Sequence, residues 1–312
     1  MNKFLSDALH IIAYTTIILF IHKIYYGFYR IWIYLFAKEK DLKKLAGGNW
    51  AVITGSSDGI GKAYAVEFAK RGFNLILISR TGSKLEEVRK SILRCYPLVE
   101  VRIIVFDFST ASYDDYERSI FKEIGDLNIG VLVNNVGQMH KYPDMLHDYP
   151  GGPSAVFQLT TVNAVPLTTL TAKVIPQMVE RKAGIIINLA SAAGYYEMAR
   201  WSVYSASKRF VKHFSSCLHK EYSKYGVTIQ SVCPMFVATK MTHYPAGGCV
   251  YPPEKLIEVA MKTIGHTPET AGCLYHELQL FGFAFPAHFV DPFIKLLSLT
   301  QKKEILELNK EQ

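Results

Sequence analysis

Ser191 lies thirteen positions before Tyr204, and Tyr204 opens the run Tyr-Ser-Ala-Ser-Lys that ends at Lys208. These three side chains could polarise and protonate a carbonyl. A serine hydroxyl donates a hydrogen bond to a carbonyl oxygen, and a tyrosine gives that oxygen a proton. A lysine one helical turn further on lowers the tyrosine pKa from its free value of roughly 10 towards neutrality. At i and i+4 on a helix, Tyr204 and Lys208 project from one face. Such pairs also occur on solvated helices, so the surrounding elements decide what this one does.

Residues 50–54, Trp-Ala-Val-Ile-Thr, read as a short buried strand. It runs into Gly55-Ser56-Ser57-Asp58-Gly59-Ile60-Gly61, followed by a helical pattern through Arg71. Glycines between a strand and a helix allow a tight turn and a close approach of backbone to a pyrophosphate at the helix amino terminus. The spacing is Gly-x-x-x-Gly-x-Gly rather than the Gly-x-Gly-x-x-Gly of the older dehydrogenases. A second strand over 73–79 ends at Arg80, where an arginine favours a ribose 2′-phosphate and an acid the free hydroxyl. Arg80 therefore points to NADP(H). A third strand over 99–106 ends at Asp107, an acceptor for the adenine amino group, and a fourth over 129–133 ends in Asn134-Asn-Val-Gly137.

A helical stretch over 156–181 contains Asn163, with Pro166 and Pro176 expected to bend it or limit its length. A fifth strand over 184–191 delivers Ser191 at its carboxyl end, and Tyr204 opens the helix that follows. A sixth over 227–233 closes at Pro234. Strands alternating with helices imply an α/β fold, a single Rossmann-like, doubly wound parallel sheet. Its ligands belong at the carboxyl ends of the strands, where these motifs fall.

Thr54-Gly-x-x-x-Gly-Ile-Gly61, Asn134-Asn-x-Gly137, Asn163, Ser191, Tyr204-x-x-x-Lys208 and Pro234 stand in the order and spacing of the short-chain dehydrogenase/reductases, and the chain resembles them over residues 48–265. Val136 replaces the usual alanine, and Met235 follows Pro234 where many members have glycine. The resemblance implies a catalytic set of Ser191, Tyr204 and Lys208, with Asn163 supporting a water that relays protons. It implies cofactor contacts from Gly55, Ser56, Ser57, Gly59, Ile60, Gly61, Arg80, Asp107, Asn134, Tyr204, Lys208, Pro234 and Thr239. Ser191 also contacts the substrate, and no metal is expected.

Pro234-Met-Phe-Val-Ala-Thr-Lys240, Met178-Val-Glu-Arg181 and an amino-terminal apolar segment are similar to one membrane-bound subgroup. It holds the 17-beta-hydroxysteroid dehydrogenases and the very-long-chain 3-oxoacyl-CoA reductases of fatty-acid elongation, and the flanking residues are close to nematode members. That resemblance implies NADPH-dependent reduction of a lipid ketone, with a steroid as substrate, at the endoplasmic reticulum membrane. The alternatives are a 3-oxoacyl-CoA thioester as substrate, or a membrane-associated NADPH-binding scaffold without activity. A homodimer, or association with other lipid-synthesis enzymes, is compatible with all three.

The apolar segment covers residues 8–21, continues over 24–29 after His22 and Lys23, and resumes over 31–37 after Arg30. Counted from residue 8 to 29 it is long enough to span a bilayer if Lys23 snorkels. Lys23 and Arg30 share a helical face, so the second half suits an amphipathic stretch in the interface. No small-residue cleavage site follows, which favours an anchor over a signal peptide. Lys38, Lys40, Lys43 and Lys44 then place the main domain on the cytosolic side. The chain divides into an anchor with its basic flank (1–44) and a catalytic domain (45–312), whose core (48–265) carries an apolar extension (266–312). The terminal Asn-Lys-Glu-Gln lacks a dilysine retrieval signal.

The 312 residues are 49% hydrophobic and 20% charged, enough for one large α/β domain plus an appendage. Net charge is +8, yet no compact Lys/Arg cluster with interleaved aromatics argues for nucleic acid. Cys95, Cys217, Cys233, Cys249 and Cys273 are odd in number and widely spaced, which suits neither a disulfide framework nor zinc and points to a reducing compartment. His10, His22, His213, His219, His276 and His288 show no metal spacing. Residues 235–253 suit a substrate lid. Residues 278–299 carry Phe281, Phe283, Phe285, Phe289 and Phe293 and read either as a buried helix and strand or as a surface that meets a bilayer, with Pro286 and Pro292 breaking the run.

Overall fold

Period-two alternation in short apolar strands lets one sheet bury both its faces. In β1 (Trp50–Thr54), Ala51 and Ile53 enter one apolar layer while Trp50 and Val52 enter the other. The computed structural model describes residues 3–242, 244–248 and 250–308. Cys249, the side chain of Lys23 and the last four residues, with their missing dilysine signal, lie outside the described residues.

Six further strands join β1 in a parallel sheet: β2 (Asn74–Ser79), β3 (Val101–Val105), β4 (Ile129–Asn134), β5 (Gly184–Leu189), β6 (Val227–Val232) and β7 (Glu269–Thr270). Their spatial order is β3-β2-β1-β4-β5-β6-β7. The direction of winding reverses between β1 and β4, and a crevice opens at the carboxyl ends there. The six expected strands are all present. The two-residue β7 has no periodicity to read.

The main helices run in chain order α1 (Lys3–Phe36), α2 (Leu42–Ala46), α3 (Gly59–Lys70), α4 (Gly82–Cys95), α5 (Gly152–Glu180), α6 (Ser202–Tyr222), α7 (Pro253–Thr263), α8 (Leu274–Leu280) and α9 (Ala287–Leu308), with a further helical stretch over 113–124, partly wound as a π-helix, and short turns between some of the others. Apolar faces of α3, α4 and α7 pack on one side of the sheet, and those of α5 and α6 on the other. Pro166 and Pro176 lie inside α5, which runs unbroken for 29 residues. Leu170, Val174 and Met178 are packed against the sheet between and beyond these prolines, and this burial outweighs the backbone bonds that the prolines lack.

Residues Asp7–Phe36 of α1 form a stretch long and apolar enough to cross a membrane. The last two turns of α1 are docked on the domain rather than laid out as a separate amphipathic stretch. Ile33 is buried, Tyr29 donates to the His266 carbonyl at 3.0 Å, and Tyr34 donates to Glu277 at 3.0 Å. Arg30 pairs with Glu277 at 2.7 Å. Arg30 thus turns inward, because a buried carboxylate offers it a better partner than an interface does.

At the other end, α8 passes through the turn Phe281–Ala284 into α9, the two helical stretches being bent by 115°. Pro286 sits at the bend, whereas Pro292 lies inside α9 without breaking it. Phe281, Phe285, Phe289 and Phe293 are exposed. The buried-helix-and-strand alternative for residues 278–299 is therefore not what forms.

Candidate active site

β1 ends at Thr54, and the next seven residues turn sharply into α3. Gly55 and Gly59 have φ of +64° and +53°, where side chains are strained. Space is equally restrictive. A Cβ on Gly61 would stand 2.3 Å from the Gly55 carbonyl oxygen, and one on Gly59 would stand 3.0 Å from Thr239 Cγ2. The turn is fastened to β4 by Asn135, whose Nδ2 donates to the carbonyls of Thr54 at 2.9 Å and Gly55 at 3.1 Å. In return, Thr54 Oγ1 accepts from the backbone amides of Asn135 and Val136.

The crevice above this turn encloses about 340 Å3. Gly55, Ser57, Gly59, Ile60, Arg80, Asp107, Ser191, Tyr204, Lys208, Pro234 and Thr239 all line it. Three expected contacts do not. Ser56 is fully buried with its hydroxyl unpartnered, and Gly61 is where α3 crosses the Gly55 carbonyl. Asn134 donates to Thr171 at 3.1 Å and to Asn188 at 2.9 Å, inside a polar ladder that ties α5 to β4 and β5. The last residue of β4 points into the layer under the sheet, and Asn135, Val136, Gly137 and Gln138 form the wall instead.

Ser57 Oγ and Ser79 Oγ are 2.9 Å apart at the end where Arg80 and Lys84 stand exposed. Asp107 accepts from the amide and hydroxyl of Ser109 at 2.9 and 2.7 Å, and these bonds, the amide's foremost, hold its carboxyl below the usual range. Asp58 caps α3 by accepting from the Gly59 amide at 2.8 Å, and Lys240 pairs with it at 2.8 Å. Glycine cradle, helix amino terminus and basic rim together fit a dinucleotide.

Ser191 follows β5 in extended backbone, and Tyr204 sits in the first turn of α6. The two side chains are neighbours on the wall of the crevice. Burial pushes the Tyr204 hydroxyl above its ordinary range, and the nearby Ser191 hydroxyl opposes that. Lys208 Nζ lies 5.7 Å from the Tyr204 ring centre and donates to the Leu189 carbonyl at 2.9 Å. Burial pulls Lys208 down to about 8. The expected lowering of Tyr204 by Lys208 is not found in this arrangement, where the ammonium is committed to a carbonyl and the phenol is fully desolvated.

Asn163 is buried in α5. Its Oδ1 accepts from the Gln138 amide at 2.7 Å, while Nδ2 donates to the Gln138 carbonyl at 3.0 Å and to Ser207 Oγ at 2.8 Å. It bolts the loop after β4 to α6, one residue from Lys208. A Cβ at Gly137 would stand 3.2 Å from Asn163 Oδ1 and 3.3 Å from Lys208 Nζ, so the absent side chain lets both approach the loop.

A second cavity of about 630 Å3 shares Ser191, Tyr204, Pro234 and Met235 with the first. Its walls are apolar: Met139, Met198, Trp201, Val290, Ile294 and three exposed phenylalanines, Phe285, Phe289 and Phe293. Trp201 also packs on His140, with ring centres 4.7 Å apart, and burial holds that histidine neutral at about 4. The roles of Asn135, Trp201 and His140 escape sequence reasoning. The doubled asparagine after β4 was the one available signal. Residues 235–253 border both cavities through Met235 and Thr242, and Phe236 borders the second. Among the described residues no group of three or more His, Cys, Asp or Glu could hold a metal.

Residues 49–246 match the family model of short chain dehydrogenases. The chain is 43% identical to "Putative steroid dehydrogenase 3" of Caenorhabditis elegans over 295 residues, covering 93% of each. It is 45% identical to the very-long-chain 3-oxoacyl-CoA reductase of Bos taurus, covering 74% of this chain and 73% of that one. A short-chain dehydrogenase from Sphingobium yanoikuyae, solved in complex with NADPH, superposes with a TM-score of 0.61 at 28% identity, over 69% of this chain and 83% of that one.

Proposed function

The chain belongs to the short chain dehydrogenase family, an oxidoreductase acting on CH–OH groups, and from this we propose that it reduces the ketone of a lipid with NADPH, as a 17-beta-hydroxysteroid type of dehydrogenase in steroid and lipid biosynthesis. The observation that carries the lipid reading is the apolar cavity of about 630 Å3 that ends on Ser191 and Tyr204. It falls in the size range of small-molecule sites, with polar groups where the reaction would occur.

A reduced nicotinamide supplies the hydride when bound. Gly55, Ser57, Gly59, Ile60 and Thr239 hold the pyrophosphate end, and Arg80 with Lys84 meets the 2′-phosphate, which makes NADP(H) the preferred form. Asp107 accepts from the adenine. Ser191 donates to the ketone oxygen and keeps it in register as negative charge grows. Tyr204, held protonated by burial, gives that oxygen its proton. Lys208 would leave the Leu189 carbonyl for the nicotinamide ribose and then bias Tyr204 towards giving up its proton. Asn163 acts through the loop it fixes, and Gly137 leaves room beside Lys208 for a relay water.

Gln279 favours the steroid. Its amide is one of the few polar groups on the cavity wall, with Ser191, Tyr204 and Thr242, and its Oε1 has no partner. Turned into the cavity, that oxygen would accept from a hydroxyl of a rigid lipid, whereas an alkyl chain would leave it unpaired. A 3-oxoacyl-CoA thioester is the second reading, favoured by the Bos taurus relative and by the net charge of +8, which suits CoA phosphates. α1 is read as the anchor at the endoplasmic reticulum membrane, with the catalytic domain in the cytosol beside Lys38, Lys40, Lys43 and Lys44. The deciding experiment sets steroid ketones against 3-oxoacyl-CoA thioesters in NADPH oxidation by the detergent-solubilised protein. Faster turnover of the thioesters overturns the steroid assignment, and oxidation with neither class leaves a cofactor-binding scaffold.

A further inference from the structure

We propose that the C-terminal hairpin of α8 and α9 lies in the surface layer of a lipid bilayer and opens the apolar cavity directly into it. This rests on the reading of the substrate as a lipid ketone. The same residues that wall the cavity form the exposed surface: Phe285, Phe289 and Phe293 line it and are 63%, 65% and 63% exposed. An apolar cavity whose mouth is rimmed by exposed phenylalanines faces something other than water.

The first half of α9 is apolar on two sides. Val290 and Ile294 face inward and are buried, while Phe289, Phe293 and Leu296 form an outward stripe at i, i+4 and i+7. A helix that shows an apolar face to its surroundings as well as to its own domain is built for an apolar surround. Asp291 and Lys295 are exposed on its remaining side, away from the stripe. Exposed charges beside an aromatic stripe suit a helix lying in the interface rather than one crossing it. The 115° bend at Pro286 likewise prevents α8 and α9 from forming one straight span.

Continuity with α1 identifies the occupant. α8 carries Glu277, which pairs with Arg30 at 2.7 Å at the foot of the membrane-length helix, so the hairpin starts where α1 leaves the domain. A bilayer that holds α1 meets the hairpin beside it. The lipid ketone then passes from the acyl layer through the phenylalanine mouth to Tyr204 without crossing water.

The test uses the full-length chain in phosphatidylcholine–phosphatidylserine vesicles. Phe281 and Leu296 lie on the exposed surface outside the cavity wall, so Phe281→Glu/Leu296→Glu reports on the bilayer and not on the cavity lining. In this variant, turnover of a long-chain ketone dissolved in the vesicles should fall about tenfold, with a short water-soluble ketone held within about twofold. Independently, an environment-sensitive fluorophore on Leu296→Cys, with Cys95, Cys217 and Cys249 replaced by serine, should be quenched more by lipids spin-labelled near the headgroup than by lipids labelled near the chain end. Absence of quenching by both lipids overturns the proposal, as does an equal loss with both ketones. Dissociation of a dimer by Leu296→Glu, with no quenching, would instead assign the face to a second copy of the chain. If no lipid ketone is reduced at all, the functional reading fails while the quenching still decides the place of the hairpin.

Discussion

Replacing Glu277 by alanine tests whether α1 is fastened to the catalytic domain or merely precedes it. The carboxylate is 5% exposed and serves three donors: Arg30 Nη2 at 2.7 Å, the Tyr34 hydroxyl at 3.0 Å and the Ala271 amide at 3.2 Å. Removing one partner of a buried ion pair costs about 3–5 kcal/mol, because the other charge stays buried. Two features soften the loss. Arg30 keeps Glu269 at 3.8 Å, and Tyr34 keeps Thr270 Oγ1 at 2.5 Å. The expected cost is therefore at the lower end, about 3 kcal/mol. For a domain of this size that lowers Tm by about 6–12 °C. Thermal unfolding of the full chain in detergent, followed by near-UV circular dichroism, measures it. Glu277→Gln keeps an acceptor for Tyr34 and Ala271 but not the charge, so its Tm should fall between the two. Turnover of a water-soluble ketone at low temperature should not change, since Glu277 borders neither cavity. A drop below about 2 °C for Glu277→Ala would mean that the pair contributes little and that α1 is free at its root.

Tyr204→Phe should leave NADPH binding intact and lower kcat for ketone reduction about 10²–10⁴-fold, and near-normal turnover in single-turnover kinetics would remove Tyr204 as the proton donor. Arg80→Asp should weaken NADPH about tenfold or more while sparing NADH, as read by fluorescence titration, whereas equal losses would sink the 2′-phosphate assignment. Asn163→Ala strands the Gln138 amide and should cost about 1–3 kcal/mol of stability as well as kcat, while an unchanged Tm would show that the loop does not depend on it. With Lys208 pulled down to about 8, kcat/KM for reduction should be full below pH 8 and decline above it as the ammonium is lost, and a profile flat to pH 10 would refute the assignment. The sign for stability is opposite. A lysine depressed from 10.5 to about 8 destabilises the fold at pH below 8, and the cost fades as pH rises from 8 to 10.5.

The sheet was legible because each strand combines a short apolar run with a chemically distinctive end: Gly55, Arg80, Asp107, Asn134 and Ser191 all follow or close one. What failed lay one residue away or one face over. Asn134 and Asn135 are identical in type, and only the strand register shows that the first enters the layer beneath the sheet while the second fastens the glycine turn. Ser56 and Ser57 differ in the same way. Pro166, Pro176 and Pro292 were expected to interrupt helices, but local propensity was overridden by burial along α5, and α9 also runs through its proline. Arg30 looked like an interfacial cation because its partner, Glu277, is 247 positions away. Charge pairing at that separation has no signature in a single chain.

The fastened root of α1 also limits how the enzyme moves. The apolar length beyond it, about twenty residues, is roughly 30 Å of helix. Because Arg30, Ile33 and Tyr34 grip the domain, they oppose a swivel between that length and the crevice. With α1 set in a bilayer as proposed, a protein held this way would not tumble above it, and its cavity would keep a constant height and heading. Its search for a lipid ketone would then be two-dimensional. The encounter rate would scale with moles of ketone per mole of phospholipid, not with concentration in the surrounding water.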